Sequence, residues 1–152
     1  MAIKIAIINY GIGNIRSLYN SLKKIEVEAE IIKDPELIYK FDKAFLPGVG
    51  SYKDAITMIK KIGWEKAIKK FTADKDKSLF GICVGMQILS TYGYEYGKSE
   101  GLNIVNFTAA RSPDTHTEQS LRKILTKNNE LSYNIVDLAN EAGYKTYWLS
   151  NQ

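Results

Sequence analysis

The sequence predicts an α/β fold built on a parallel sheet, and three observations carry that prediction. Short apolar runs recur at residues 3–9, 43–46 and 78–82, as in strands that are buried on both faces. Segments with helical apolar spacing lie between them, and glycine-rich turns follow the strands. Strands alternating with helices form parallel sheets, whose functional loops collect at the carboxyl ends of the strands.

The first strand is predicted over residues 3–9, and residues 10–14 form a glycine-rich turn after it. A first helix follows with an apolar stripe, and residues 28–32 form the second strand. The stripe consists of Ile15, Leu18, Leu22 and Ile25. Gly11 and Gly13 invite a dinucleotide-binding interpretation, but Ser17 stands near the position of the third glycine, so nucleotide binding is not favoured.

The third strand, residues 43–46, runs into the sequence Pro-Gly-Val-Gly at residues 47–50. Ser51 is predicted to cap the next helix. The apolar stripe of that helix consists of Ala55, Met58, Ile59 and Ile62. A short amphipathic helix is predicted over residues 64–71, and the fourth strand over residues 78–82.

Cys83 is the only cysteine and lies between Gly81 and Gly85, where the fourth strand gives way to a helical pattern. A thiol on such a turn is held exposed near backbone N–H groups, which favours a nucleophile. The glycines around Val49 let a backbone N–H turn toward a developing oxyanion, and the N–H of Val84 is its expected partner. The alternative for this cysteine is a small buried hydrophobic residue, and for residues 47–50 a simple strand-to-helix connection.

Composition excludes several classes of function. The 152 residues carry 21 Lys and Arg against 17 Asp and Glu, with the lysines scattered over predicted helix faces, so no nucleic-acid partner is expected. No apolar run approaches a membrane span, and one cysteine fits a reducing cytoplasm, so we expect a cytoplasmic protein without a membrane partner. The single histidine, His116, excludes a multi-histidine metal site, and no metal or cofactor is expected.

Three motifs together resemble the class I glutamine amidotransferases. They are residues 9–17, 46–50 and 81–87, and their order and spacing are similar to those of the glutaminase subunits of imidazole glycerol phosphate synthase. The resemblance covers residues 1 to about 105. It implies a flavodoxin-like parallel sheet for this part of the chain.

The resemblance also implies a reaction. Cys83 attacks the side-chain amide of glutamine, which releases ammonia and forms a glutamyl thioester that water hydrolyses. The other implied site residues bind the oxyanion or the substrate, and they are Gly48, Val49, Gly50, Val84 and Gln87. In the family the ammonia passes to a separate cyclase subunit, while related pairs amidate nucleotide sugars, and sequence alone does not separate these two.

After Val105 the pattern of the family ends, so we expect a truncated amidotransferase domain over residues 1–105 and a segment of other ancestry over residues 106–152. This tail, predicted as helix, helix and strand, resembles a fragment of the phosphoethanolamine transferases of the alkaline phosphatase and sulfatase superfamily. Thr117 matches the threonine nucleophile of that family by position. Without a metal cluster a hydroxyl is a poor nucleophile, so a helix N-cap is the favoured role for Thr117.

His116 and Glu118 reproduce the His-x-Glu spacing of the catalytic partners that the family places further along the chain. Here the pair opens a predicted helix, whereas the pair of the family follows a strand. Chance spacing is therefore favoured over a role for His116 and Glu118 as the catalytic partners of Cys83. We therefore expect a glutaminase that is impaired by loss of its His-x-Glu region. The alternatives are a non-catalytic partner-binding remnant, a chimeric gene product and an amidotransferase for nucleotide sugars.

Overall fold

A computed structural model describes residues 3–95, 97–106 and 108–110. The chain divides into two units, and all of the described residues lie in the first, Met1–Ser112. His116, Thr117 and Glu118 lie outside the described residues, as does the predicted tail beyond residue 110, so the domain boundary after residue 105 stays a prediction. No helix in the described part of the chain has the length and hydropathy needed to cross a bilayer.

The architecture is α/β, as predicted, and its centre is a four-stranded parallel sheet with the strand order β2-β1-β3-β4. The strands are β1 (Ile5–Ile8), β2 (Ala29–Ile32), β3 (Lys43–Gly48) and β4 (Ser78–Cys83). All four predicted strands are present, with ends that differ by a few residues. The parallel order confirms the prediction from the alternating pattern, because parallel strands need a crossover between them.

Helices occupy the connections, and they are α1 (Ile15–Lys24), α2 (Tyr52–Ile62), α3 (Trp64–Thr72) and α4 (Val84–Gln87). A 3₁₀ helix, Pro35–Lys40, was not predicted, because its six residues are too few to show a periodic pattern. Two members of the predicted apolar stripes are exposed: Ile25 follows the last residue of α1 and Ile62 ends α2. Both residues lie at the end of a helix, where fewer residues of the sheet cover the side chain than in the middle of the helix.

The main core lies on one face of the sheet, under α2, α3 and the 3₁₀ helix. Its large and fully buried side chains come mainly from the strands, from the turn after β1 and from these helices, and they include Ile8, Tyr10, Ile38, Leu46, Ile59, Trp64, Ile68 and Phe71. On the opposite face of β1, Ile7 is also buried, as is Leu22 of α1. Burial on both faces of β1 confirms the prediction from its continuous apolar run.

A second, smaller sheet was not predicted. Its strands are β5 (Tyr92–Tyr94), β6 (Lys98–Glu100) and β7 (Thr108–Ala110), with the order β6-β5-β7. The ring of Tyr52, from α2, packs so closely against this sheet that a Cβ added at Gly93 would lie 2.5 Å from it. The Tyr52 hydroxyl shares a 2.9 Å hydrogen bond with Ser90 Oγ, which in turn donates to Tyr92 O. The small sheet is thereby joined to the first turn of α2.

Candidate active site

The strand-to-helix turn at Cys83 is a strained elbow. Cys83 is the last residue of β4, its side chain is exposed, and α4 begins at the next residue. Its backbone has φ 54° and ψ −121°, a combination that non-glycine residues rarely adopt and that costs on the order of 1–3 kcal/mol. This backbone conformation leaves the thiol exposed at the carboxyl edge of the sheet. A nucleophile on such a turn has the same arrangement.

The pairing of β3 with β4 brings the Pro-Gly-Val-Gly sequence to the same edge. Gly48 lies opposite Cys83, and Pro47 lies opposite Ile82. The carboxyl ends of the two strands therefore meet, and the loop after β3 lies beside the thiol. The structure thus brings together Cys83, Gly48 and the start of α4, as the sequence predicted.

Glycine is required where the elbow packs against β3. A Cβ at Gly85 would collide with the carbonyl oxygen of Leu46, and a Cβ at Gly48 would lie 2.5 Å from Gly85 N and 3.0 Å from the carbonyl carbon of Val84. Real Cβ atoms do not approach other atoms so closely. The first turn of α4 therefore rests directly on the backbone of β3, and this contact positions the N–H groups next to Cys83.

The loop after Gly48 is open at its centre and held at its far end. Val49 is 47% exposed, and Gly50 has a positive φ of 80° that suits glycine. Ser51 caps α2, as predicted, with Ser51 Oγ accepting from Asp54 N at 3.1 Å and donating to Asp54 Oδ2 at 2.7 Å. The loop thus runs between a strand in register with Cys83 and a capped helix.

Two further residues, one at the start of α2 and one beneath the elbow, were not identified from the sequence. Glu95 accepts a 2.6 Å hydrogen bond from Tyr52 N, so a carboxylate from the loop after β5 sits at the first turn of α2. No local pattern marks this residue, because its partner lies 43 positions away. The other is Tyr10, which follows β1 and which the sequence presented only as part of a glycine-rich turn.

The Tyr10 side chain is fully buried, and its hydroxyl has no hydrogen-bond partner. The hydroxyl oxygen lies 2.8 Å from the position that a Cβ on Gly48 would take. Burial and, to a smaller extent, the negative charge of Cys83 raise the pKa of Tyr10 to about 12. Tyr10 is therefore a neutral phenol at physiological pH, beneath the junction of the loop and the elbow.

The remaining predicted residues lie along α4. Val84 begins the helix and is buried, and Gln87 ends it, half-buried and one turn beyond Cys83. Within residues 3–95, 97–106 and 108–110, no group of three His, Cys, Asp or Glu side chains is arranged to hold a metal ion. What this part of the chain offers is an exposed thiol beside the backbone N–H groups at the start of α4.

Comparison with known proteins identifies the family. Residues 2–141 match the model of the CobB/CobQ-like glutamine amidotransferase domain. The imidazole glycerol phosphate synthase subunit HisH of Caldanaerobacter subterraneus is 44% identical over 100 residues, which are 66% of this chain and 49% of that protein. The subunit of the same name from Wolinella succinogenes is 40% identical over 101 residues, which are 66% of this chain and 49% of that protein. The subunit from Geobacter sulfurreducens is 37% identical over 111 residues, which are 73% of this chain and 53% of that protein.

A solved structure described as a glutamine amidotransferase has the same fold, with a TM-score of 0.63 and 20% identity over 75% of this chain and 60% of that one. The chain spans about half the length of the curated relatives it matches. The resemblance drawn from the three sequence motifs is confirmed. Because the family model matches most of its residues, the chain belongs to the family of CobB/CobQ-like glutamine amidotransferase domains.

Proposed function

We propose that the chain is the glutaminase subunit of a two-protein synthase, with Cys83 as the nucleophile that attacks the side-chain amide of glutamine. The observation that carries the proposal is the positive-φ elbow at Cys83 in register with Gly48. It is supported by the family and by the HisH relatives, each named as a subunit of imidazole glycerol phosphate synthase.

In the proposed reaction the sulfur of Cys83 adds to the amide carbon, and the carbonyl oxygen takes the negative charge. The N–H groups of Val49 and Val84 are the proposed donors to this oxyanion, with Gly48 and Gly50 giving the loop the freedom to present the first of them. Gln87 is proposed to help hold the substrate. The thiol proton passes through a base to the leaving nitrogen, which departs as ammonia, and water then hydrolyses the thioester to glutamate.

Histidine is the usual base for a catalytic thiol. The only histidine of the sequence is His116, which lies outside the described residues. The expectation that the glutaminase is impaired therefore stays a prediction. The rate at which the purified chain hydrolyses glutamine tests it.

The proposed acceptor is a cyclase subunit of histidine biosynthesis, in keeping with the names of the relatives. Amidation of a nucleotide sugar is the alternative use of the ammonia. A cytoplasmic location is part of the proposal, because a single cysteine suits a reducing compartment.

The test is glutamine turnover by the full chain, with and without a cyclase subunit and its nucleotide ligand, measured as ammonia released. We expect the wild type to release ammonia and Cys83→Ala to release none above the uncatalysed rate. Cys83→Ser is the matched variant, because it keeps the size of the side chain and removes the thiolate. Equal rates for the wild type and Cys83→Ala would refute catalysis, and retention of the cyclase in a pull-down would then favour a non-catalytic binding subunit.

A further inference from the structure

The hydroxyl of Tyr10 is an anomaly of the core. Among the described residues, the buried side-chain polar atoms without a hydrogen-bond partner are Tyr10 Oη and Trp64 Nε1. Such a group loses its bonds to water without gaining others, so an unsatisfied hydroxyl in a native structure calls for an explanation. Phenylalanine would fill the same space without that penalty.

The position of the hydroxyl suggests what it does. The point 2.8 Å from Tyr10 Oη, where a Cβ of Gly48 would lie, is also 2.5 Å from Gly85 N and 3.0 Å from the carbonyl carbon of Val84. The hydroxyl thus borders the narrow space between the end of β3 and the first turn of α4. Both segments adjoin Cys83: Gly48 is paired with it across β3 and β4, and α4 begins at the residue that follows it.

The electrostatics agree with this position. Burial and, to a smaller extent, the negative charge of Cys83 raise the pKa of Tyr10, because a thiolate disfavours a second negative charge on the phenol. Because the phenol of Tyr10 stays protonated at neutral pH, its O–H group can point toward a nearby negative charge. A hydroxyl hydrogen rotates freely, and here no resting partner holds it.

We propose that Tyr10 is a positioning residue for Cys83: its unpartnered hydroxyl, held between Gly48 and the first turn of α4, turns its O–H dipole toward the negative charge that forms at the thiol. While the thiol of Cys83 is neutral, the hydroxyl dipole makes no hydrogen bond. When the thiol becomes a thiolate, the dipole interacts favourably with its charge, so the hydroxyl stabilises the thiolate relative to the thiol. The proposal rests on the proposed role of Cys83 as the nucleophile. It does not depend on glutamine being the substrate.

The test is the rate at which iodoacetamide alkylates Cys83 in the full chain, measured between about pH 6 and pH 9, since the thiolate is the reactive form of a cysteine. Cys83 is the only cysteine, so total alkylation reports on it alone. We expect Tyr10→Phe to alkylate roughly threefold more slowly at neutral pH, with its rate profile moved to higher pH, because the charged thiol loses a favourable dipole. Resistance to urea should not fall, because the variant removes an unsatisfied group.

The matched control is Tyr52→Phe. Tyr52 is also a buried tyrosine, but its hydroxyl is partnered by Ser90. We expect this variant to lose stability and to alkylate at the wild-type rate, the reverse of Tyr10→Phe. A purely structural role for Tyr10 predicts instead an unchanged alkylation profile in Tyr10→Phe, and that result would overturn the proposal.

A second variant serves if Tyr10→Phe does not fold. Incorporating 3-fluorotyrosine at position 10 keeps the hydroxyl and makes it a stronger donor, so the alkylation profile should move to lower pH. An unmoved profile again overturns the proposal. Protection of wild-type Cys83 by added glutamine is measured in the same assay: its absence would count against the proposed substrate and leave the outcome for Tyr10 unaffected.

Discussion

Two regions of the molecule each contain a buried tyrosine and differ in how their polar groups are satisfied. At the start of α2, Ser51 and Asp54 bond reciprocally, Tyr52 N donates to Glu95, and the Tyr52 hydroxyl bonds to Ser90. At the elbow, the side chain of Cys83 makes no capping bond, its backbone has a positive φ, and the Tyr10 hydroxyl has no partner. We call these regions the α2 cap and the elbow.

The difference indicates that the α2 cap has a structural role and that the elbow has a functional one. The α2 cap is a set of satisfied bonds that anchors the far end of the loop containing Val49. The elbow holds strain and an unused donor at the proposed nucleophile. Strain and unsatisfied groups persist only where the surrounding structure over-determines them, and they tend to cluster at functional sites. Variants in the two regions should therefore change stability in different ways.

The largest effect is expected at the elbow, from Gly85→Ala. The new Cβ would meet the carbonyl oxygen of Leu46, and neither backbone can move without disturbing the pairing of β3 with β4. We expect a loss of about 3 kcal/mol or more in the free energy of unfolding, measured by urea denaturation. Gly63→Ala is the control: Gly63 has a positive φ of 90° but open space around it, so about 1 kcal/mol is expected. Equal losses in the two variants would contradict the close contact at Gly85.

At the α2 cap, Tyr52→Phe should cost about 1.5 kcal/mol of unfolding free energy, since it removes a satisfied buried hydrogen bond to Ser90. Thermal or urea unfolding of the full chain measures it. The comparison between the regions would fail if Tyr52→Phe and Tyr10→Phe changed the stability by the same amount and in the same direction.

Ser51→Ala tests the same region through the backbone. It removes the acceptor for Asp54 N, and the loss of an N-cap of this kind costs about 1 kcal/mol. Amide hydrogen exchange should speed up in the first turn of α2 and stay unchanged in α3. Faster exchange throughout both helices would show that the cap acts on the whole fold instead of on its own helix.

The smallest effect concerns the strain at Cys83. Cys83→Gly should be about 0.5 to 1 kcal/mol more stable than Cys83→Ala, because relief of the strain at the positive φ outweighs the larger conformational entropy that glycine loses on folding. Both variants lack the thiol, so the difference isolates the backbone term. Chemical denaturation of the two proteins side by side measures it, and a more stable alanine variant would argue against strain at this residue.

Much of the fold was predictable because it is encoded locally. The strands and helices were identified from apolar periodicity, and the cap at Ser51 from its residue type and place. The small sheet was missed because its strands have three residues each, and the 3₁₀ helix because its six residues make only about two turns. The exposure of Ile25 and Ile62 was missed because periodicity does not show where the covering layer stops.

The sequence by itself determined that a lone cysteine stands between two glycines at a strand-to-helix turn and that a second glycine-rich turn follows the preceding strand. Only the tertiary structure decided that Gly48 lies opposite Cys83, that Gly85 rests on Leu46, that Glu95 reaches Tyr52, and that the Tyr10 hydroxyl ends without a partner. The physical reason is that the geometry of a turn depends on residues that are adjacent in the sequence. Register, close packing and hydrogen-bond satisfaction depend instead on residues that only the folded chain brings together.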